Sequence, residues 1–535
     1  TQGNVMKTML RFAVPMILGN LLQQCYNVAD TLIVGRFLGA GALAAVGSSF
    51  TLMTFLTSIL LGLCMGSGAV FSIRFGQQNH EGLKECMCAS FALIAALTVA
   101  LNLLAFAGTD AVIAFLKVPQ EIQGMMREYL LAIFCGIAAT FLYNYFASLL
   151  RAVGNSLAPL IFLAVSAVLN IVLDLWFVLG LGRGVAGAAL ATVIAQYVSG
   201  IGIALYTWRF CPYLRVSRRH CRVKWRSVRE IAGFSILTCL QQSVMNFGIL
   251  MVQGLVNSFG TTVMAAFAAA VKIDSFAYMP VQDFGNAFST FIAQNYGARR
   301  EDRIRAGLKG AVITAFAFCS LVSLLVWIFA RPLMLLFVRA EETAIIAEGV
   351  RYLRIEGAFY CGIGCLFLLY GLYRALGRPG MSVVLTIASL GTRVVLAYAL
   401  SAVPALGVTG IWWSVPIGWA LADAIGLLYY QKRKKMLLRS LFKRQQELGH
   451  PGGVGRDVVL LIIDDQALGG QVKALSVKGG SQQLRIILKV GGGLLLQAAS
   501  DSGLDLVLDF LAERGIVGVK IGKLHSLSGG EIPGL

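Results

Sequence analysis

Asp30, Asn170, Asp174 and Thr192 carry oxygens in stretches otherwise built of apolar residues. Asp30 lies in QQCYNVADTLIVG (23–35) and Asp174 in VLNIVLDLW (168–176), with Asn170 one helical turn before it. A carboxylate at hydrocarbon depth costs about 2.5–3.5 kcal/mol even on the more lenient insertion scales, so each needs a polar partner or cavity. Together the four side chains can make one oxygen-rich pocket, with Thr192 supplying a hydroxyl. Two carboxylates sharing a low-dielectric site do not both stay charged cheaply: one takes a proton or the pair holds a cation. The coupling species is then a proton or sodium, no cofactor is expected, and Asp30 and Asp174 are metal ligands only if the ion is sodium. Both ions suit carboxylates, and residue types alone leave the choice open.

A second polar stretch, AAAVKIDSFAYMPVQDFGNAF (268–288), is too rich in charge for a lipid-facing helix. Lys272, Asp274, Gln282, Asp283 and Asn286 either line a central cavity or form an internal network, as do Glu356, close in sequence to Arg354, and Arg393. Acidic lining favours cationic cargo, whereas Lys272 and Arg393 relieve that charge. Broad aromatic faces and flexible methionines tolerate varied shapes. On that ground Met53, Met65, Phe141, Tyr143, Phe259, Phe276, Tyr278, Met279 and Phe288 are candidate cavity residues.

The elements that hold these groups are membrane spans. Hydrophobic residues fill 57% of 535 positions and charged residues 13%, with a mean hydropathy of +0.76; soluble domains of this length do not reach that. Twelve runs are long enough for a bilayer core of about 30 Å: residues 12–36, 47–73, 85–107, 125–148, 158–180 and 186–208, then 231–258, 262–295, 307–330, 346–372, 380–403 and 409–431. The first has no small-residue cleavage site and reads as a span rather than a leader. Pro15 and Gly19 give it a place to bend. Protonation of Asp30 or Asp174 would then reshape this helix and drive cargo outward.

The formal charge of +19 suggests nucleic acid until it is located. Residues 451–535 carry equal numbers of acids and bases, so the excess sits before them, in alternate short loops. This is the positive-inside pattern; it places both termini and the linker at 209–230 in the cytoplasm and leaves nucleic-acid binding unnecessary. The eleven cysteines lie mostly in apolar runs without ligand spacing. The four histidines fall in loops or the tail, which offers no reactive centre for an enzyme.

The halves repeat. LLRAVGNSLAP (149–159) recurs as LYRALGRPGMS (372–382), and the same offset carries REYL (127–130) onto VRYL (350–353) and GVAG (184–187) onto GVTG (407–410). FGQQNHEGLK (75–84) is echoed by YGARREDRIR (296–305). Six spans per copy make the two halves parallel, with a cleft between unlike lobes, a transporter architecture. The acid pocket is not repeated: at the offset of 223, Asp174 falls on Ala397 and Asn170 on Arg393. Coupling is therefore expected in the N-terminal lobe.

The pattern Pro15, Gln23, Tyr26, Asn27, Asp30, Gly35, Gly39, Leu43 and Gly47, with its second-half echo and the RAVGN and GVAGAA segments, resembles the multidrug and toxic compound extrusion (MATE) family, prokaryotic DinF-like branch, over residues 5–440. The resemblance implies an all-α polytopic, V-shaped, two-lobed transporter of twelve transmembrane helices. By it the chain is a monomeric antiporter of a bacterial or archaeal cytoplasmic membrane, exporting amphipathic, mostly cationic compounds against protons or sodium by rocking alternating access. It places the ion site on Asp30, Asp174, Asn170 and Thr192, with Asn144 or Asn155 as a fourth-span partner, Asn144 preferred for its depth, and it sets Tyr26 and Asn27 at the cavity. A lipid or lipid-linked oligosaccharide flippase of the same superfamily is the alternative.

These readings divide the chain into an N-terminal lobe (1–208), a linker (209–230), a C-terminal lobe (231–445) and a small soluble α/β appendage (446–535). In the last, VVLLIID, QLRIILKV and GIVGVKI read as strands and LDLVLDFLAERG as a helix. No GxxxxGK[ST] occurs, so ATP-driven transport lacks its phosphate loop in this chain.

Overall fold

The computed structural model describes residues 3–115, 120–221, 225–448, 458–462, 473–474, 485–490 and 494–498. Contacts separate two compact units, Thr1–Leu441 and Phe442–Leu535. The first is all helix, as apolar segments must be where no water meets the backbone. Among the described residues ten helical segments, two of them within the first helix, are long and apolar enough to cross a membrane, or twelve if each of two bent pairs is one span. This is an all-α polytopic membrane protein.

The chain opens with α1 (Val5–Gly76), capped by the Asn4 side chain, which accepts from the Lys7 amide at 3.1 Å. Where the sequence predicts two spans and a loop, helical hydrogen bonding runs on through residues 36–46. The break is at Gly39, whose φ of 88° only glycine adopts readily. Pro15 keeps helical dihedrals: near the N-terminus of a long helix the missing donor disturbs a single turn. Then come α2 (His80–Ala107), α3 (Thr109–Phe115), α4 (Gln120–Phe134), α5 (Ile137–Ala152), α6 (Leu157–Leu175) and α7 (Gly184–Phe210). After the linker follow α8 (Trp225–Asn257), α9 (Thr261–Gly297), α10 (Glu301–Leu335), α11 (Thr343–Gly357), α12 (Tyr360–Ala375), α13 (Pro379–Ser401) and α14 (Val408–Leu448).

The repeat is visible in the breaks. The expected single spans 125–148 and 346–372 are each two helices, α4 with α5 bent by 43° and α11 with α12 bent by 51°. Both breaks occupy the same position in their copies, after Phe134 and after Gly357.

Two apolar cores form, and they do not follow the halves strictly. The second-half core takes in Met9, Ala13 and Met16 from the start of α1, and the first-half core takes in Ile231 from the start of α8. Each half thus lends its first helix to the other. Arg74 at the end of α1 also binds Glu230 at 2.6 Å. Where α1 ends against α9 the contact is backbone to backbone. A Cβ on Gly76 would overlap the Gln294 carbonyl, and one on Gly297 would overlap the Ile73 carbonyl. These glycines are partners in the repeat, as are the non-glycine residues just beyond them with left-handed backbone, Gln78 (φ 56°) and Arg299 (φ 57°).

In the second unit, β1 (Val458–Ile462), β2 (Lys473–Ala474), β3 (Arg485–Val490) and β4 (Leu494–Ala498) form a sheet of order β2-β1-β3-β4. β1 and β3 are parallel, and β3 and β4 are antiparallel. β1 and β3 fall on two predicted strands, whereas β2 and β4 lie outside the predicted ones. The predicted strand GIVGVKI and helix LDLVLDFLAERG lie outside the described residues.

Candidate functional site

Three of the first-half oxygens belong to buried or half-buried side chains on α1 and α6. Asp174 is fully buried and Asn170 nearly so. Asp174 comes one residue before the end of α6, which continues as a π-helical turn over Trp176–Gly180, a local widening often found at functional sites. The Asp30 and Asp174 carboxyls lie within hydrogen-bonding reach of each other. Asn170 Nδ2 donates to Thr192 Oγ1 at 3.2 Å, and Thr192 Oγ1 donates to the Ala188 carbonyl at 3.1 Å. Both Asp174 oxygens, Asp30 Oδ1 and Asn170 Oδ1 are buried acceptors without a hydrogen-bond donor. Such groups cost about 1–3 kcal/mol each unless satisfied. What this cluster lacks is positive charge or a proton, and an all-oxygen donor set also fits a hard cation.

The second half has an acid pair too, built from other positions. Tyr352 Oη donates to Glu356 Oε2 at 2.9 Å and reaches Asp274 Oδ2 at 3.5 Å, all three being buried. Arg393 lies within electrostatic reach of both acids. Phe267, Tyr352 and Trp412 pack ring to ring beside them, at 5.0–5.6 Å.

Between the halves lies a polar cavity of about 110 Å³ that combines α1, α8, α9 and α12. Asn20, Met65, Gln241, Gln282, Asp283 and Arg374 are among its walls. Asn20 Nδ2 donates to Asp283 Oδ1 at 2.6 Å, and Arg374 donates to Asn286 Oδ1 at 3.0 Å. Asp283 Oδ2 has no donor. The lining therefore joins a carboxylate, a guanidinium, amides and thioethers.

The MatE family model matches residues 15–176 and again 235–399, once in each half. The chain belongs to the MatE family. Among its curated relatives is the probable multidrug resistance protein YpnP of Bacillus subtilis, 30% identical over 435 residues that cover 81% of this chain and 96% of that one. Another is the probable multidrug resistance protein NorM of Thermotoga maritima, 23% identical over 83% of this chain and 96% of the relative. Among solved structures, a MOP superfamily transporter of Pyrococcus furiosus, described as having a binding pocket of reverse polarity, matches with a TM-score of 0.77. It is 25% identical and covers 81% of this chain and 97% of its own. A MATE crystal structure in complex with MaL6 shares the fold, with a TM-score of 0.77 at 24% identity, covering 82% of this chain and 98% of that chain. This MatE chain is a membrane transporter.

The remaining candidates divide. Gln282, Asp283, Asn286 and Met65 meet in the inter-half cavity, and Tyr278 reaches its margin against Phe367 at 6.1 Å. Tyr26 lies beside Gln23 and Asp30, one residue before Asn27, which is half-buried. Phe141 and Phe288 are packing residues, Phe141 against Phe91 at 5.3 Å and Phe288 fully buried in the second-half core. Large rings on the inward face of a helix serve a core as readily as a cleft, and here the core takes both. Tyr143 donates to the Pro159 carbonyl at 2.9 Å, and Asn144 donates to the Thr140 carbonyl at 2.8 Å. Met53 and Phe259 are half-buried against their cores. Met279 is half-buried, and Lys272 and Phe276 are exposed. Residues not singled out from sequence include Asn20, Gln241, Tyr370 and Arg374 of the cavity. Tyr129 is another, a buried residue of α4 within electrostatic reach of Asp30 and Asp174. Its repeat partner is Tyr352, so REYL and VRYL carried the signal.

Proposed function

We propose that this MatE protein is a secondary antiporter that exports amphipathic, mostly cationic organic compounds in exchange for protons or sodium. The observation that carries this reading is the Asp30–Asp174 pair, whose buried oxygens, with that of Asn170, meet no donor. A site short of one positive charge is what an exchanged cation fills, and the unequal halves give it a single location. Asp30, Asp174, Asn170 and Thr192 are the coupling residues we assign, with Asn144 as their fourth-span partner. Cargo would meet the inter-half cavity, where Asp283 favours cations and Met65 and Phe367 offer apolar contact. The names of the curated relatives, multidrug resistance proteins, agree with a broad organic cargo.

The architecture we assign is twelve spans in two parallel lobes that rock as a monomer in a cytoplasmic membrane, with both ends and the basic linker on the cytoplasmic side. Residues 446–535 form a separate soluble appendage. The test is uptake of a fluorescent cationic dye into proteoliposomes under a proton or a sodium gradient applied separately. Dye should move under one of them in the parent protein and not in the Asp30→Asn, Asp174→Asn variant. Dye that moves equally in both proteins, or under neither gradient, overturns the reading.

A further inference from the structure

A second cavity lies away from the inter-half site, on the flank of the second half. It holds about 450 Å³ between α10, α12 and α14, within the 300–1,000 Å³ usual for drug-sized ligands. Its walls are apolar, among them Val312, Phe316, Leu368 and Leu427. Phe316 is 63% exposed and Val312 49%. In a polytopic bundle such a surface faces lipid, so the groove opens sideways into the bilayer.

One carboxylate, Asp423, lies just behind the groove wall, against Gly362. Asp423 Oδ2 comes within 3.8 Å of where a Cβ on Gly362 would be, and the Asp423 carboxyl lies within electrostatic reach of the Cys365 thiol. Gly362 and Cys365 both line the groove. Asp423 Oδ1 is buried and has no hydrogen-bond partner, and Asp423 makes no ion pair among the described residues. An ionisable group at membrane depth needs a reason, and neither acid pair includes this one. Helix α12 lines both the groove and the inter-half cavity: Leu368 and Leu372 face the first, while Phe367, Tyr370 and Arg374 face the second.

We propose that this groove is a binding site for cationic amphiphiles arriving from the bilayer, the apolar tail lying along α10 and α12 and the amine meeting Asp423. The site rests on the reading that the protein handles cationic amphiphiles, and it adds a place where they are first held. Tail and head are matched to what each meets: the tail exchanges lipid for apolar protein at little cost, and the ammonium gains a carboxylate that makes no ion pair among the described residues. A bound tail also presses on α12, the wall of the cargo cavity.

The test uses the full chain in nanodiscs with two photoreactive probes, a dodecylamine and the alcohol of equal length, each with a diazirine at the end of its tail. Crosslinks are mapped by mass spectrometry. The amine should label Phe316, Cys361 and Leu427 about tenfold more than the alcohol does, the ratio given by ~1.4 kcal/mol of head-group preference. Asp423→Asn should reduce the amine to the alcohol's level, and Asp423→Glu should keep the preference. Val312→Trp, a substitution at an exposed position, should displace both tails. Labelling of Val165 and Val172, exposed residues of α6, reports the fold of each variant and should not change. Equal labelling by the two probes in the parent, an amine preference that survives Asp423→Asn, or crosslinks spread evenly onto α6 would overturn the proposal. No gradient is applied, so failure here leaves gradient-driven dye transport intact as a separate result.

Discussion

The two halves each bury a pair of acids beside a tyrosine from the same place in the repeat, and they compensate the charge by opposite means. In the first half Asp30 and Asp174 meet near Tyr129, with Asn170 one turn before Asp174. In the second, Asp274 and Glu356 share Tyr352, and Arg393 stands where the repeat puts Asn170. An asparagine adds no charge, so the first pair is left to a proton or, as proposed above, an exchanged cation. An arginine is always charged, so the second pair carries its own. On the proposed reading one scaffold holds an exchangeable site and a fixed one, and the repeat position of Asn170 and Arg393 distinguishes them. That is why coupling is assigned to the first half even though the second is equally acidic.

The largest effect should come from removing the exchangeable site. Asp30→Asn with Asp174→Asn should lower gradient-driven dye uptake by about 5–150-fold, the range of typical coupling free energies, whereas Asp274→Asn with Glu356→Gln should retain gradient dependence. The reverse result, read in the same proteoliposomes, would exchange the roles of the halves. Asn170→Arg carries the second-half solution into the first: the fold should persist, and coupling should drop by about tenfold because the cation site is permanently filled. Arg393→Asn makes the opposite exchange. It should cost ~3 kcal/mol of stability by leaving the Asp274–Glu356 pair uncompensated, and adding Glu356→Gln should recover much of it. Thermal unfolding in detergent reads both. Tyr352→Phe removes the donor to Glu356 and should cost about 1.5–3 kcal/mol by the same measure.

The smallest effect belongs to the surface. Arg127 donates to Asp110 at 2.8 Å, and this bond holds the Asp110 carboxyl below its ordinary value. Its contribution is present at neutral pH and lost as the pH falls through that lowered value. Arg127→Ala should leave melting at neutral pH nearly unchanged, since both partners are exposed.

Much of this could be read from the chain before any coordinates. Hydropathy gave the spans, the alternation of positive charge between loops agreed with their number, and the repeated RAVGN-type segments gave the halves. What escaped has physical causes. The breaks that split spans four and ten contain no proline, and a kink without one leaves hydropathy unchanged. Residues 36–46 read as a loop because their glycines suggest one, yet glycine costs a helix only about 1 kcal/mol per residue and the helix continues up to Gly39 and beyond. Asp30 and Asp174 stood out because each interrupts an apolar run, as did Asp274. Asp423 has the same signature in WALADAIGLLYY, but the groove beside it forms only when helices meet in space. Arg393 was visible as the counterpart of Asn170, but that it compensates the acid pair depends on helices meeting in space. Phe141 and Phe288 show the limit of composition: it identifies a bulky ring and not the side of the helix it occupies.

The reciprocal contact of Gly76 and Gly297 bears on how a duplicated chain can change. Elsewhere either copy can acquire a new side chain while its twin keeps the old one, and the acid pairs show how far that freedom extends. At this crossing each copy is the other's steric boundary. A methyl group gained by one would strike the backbone of its sibling, and a matching change in the other would add a second clash, so both sites are held at glycine however far the rest of the sequence drifts.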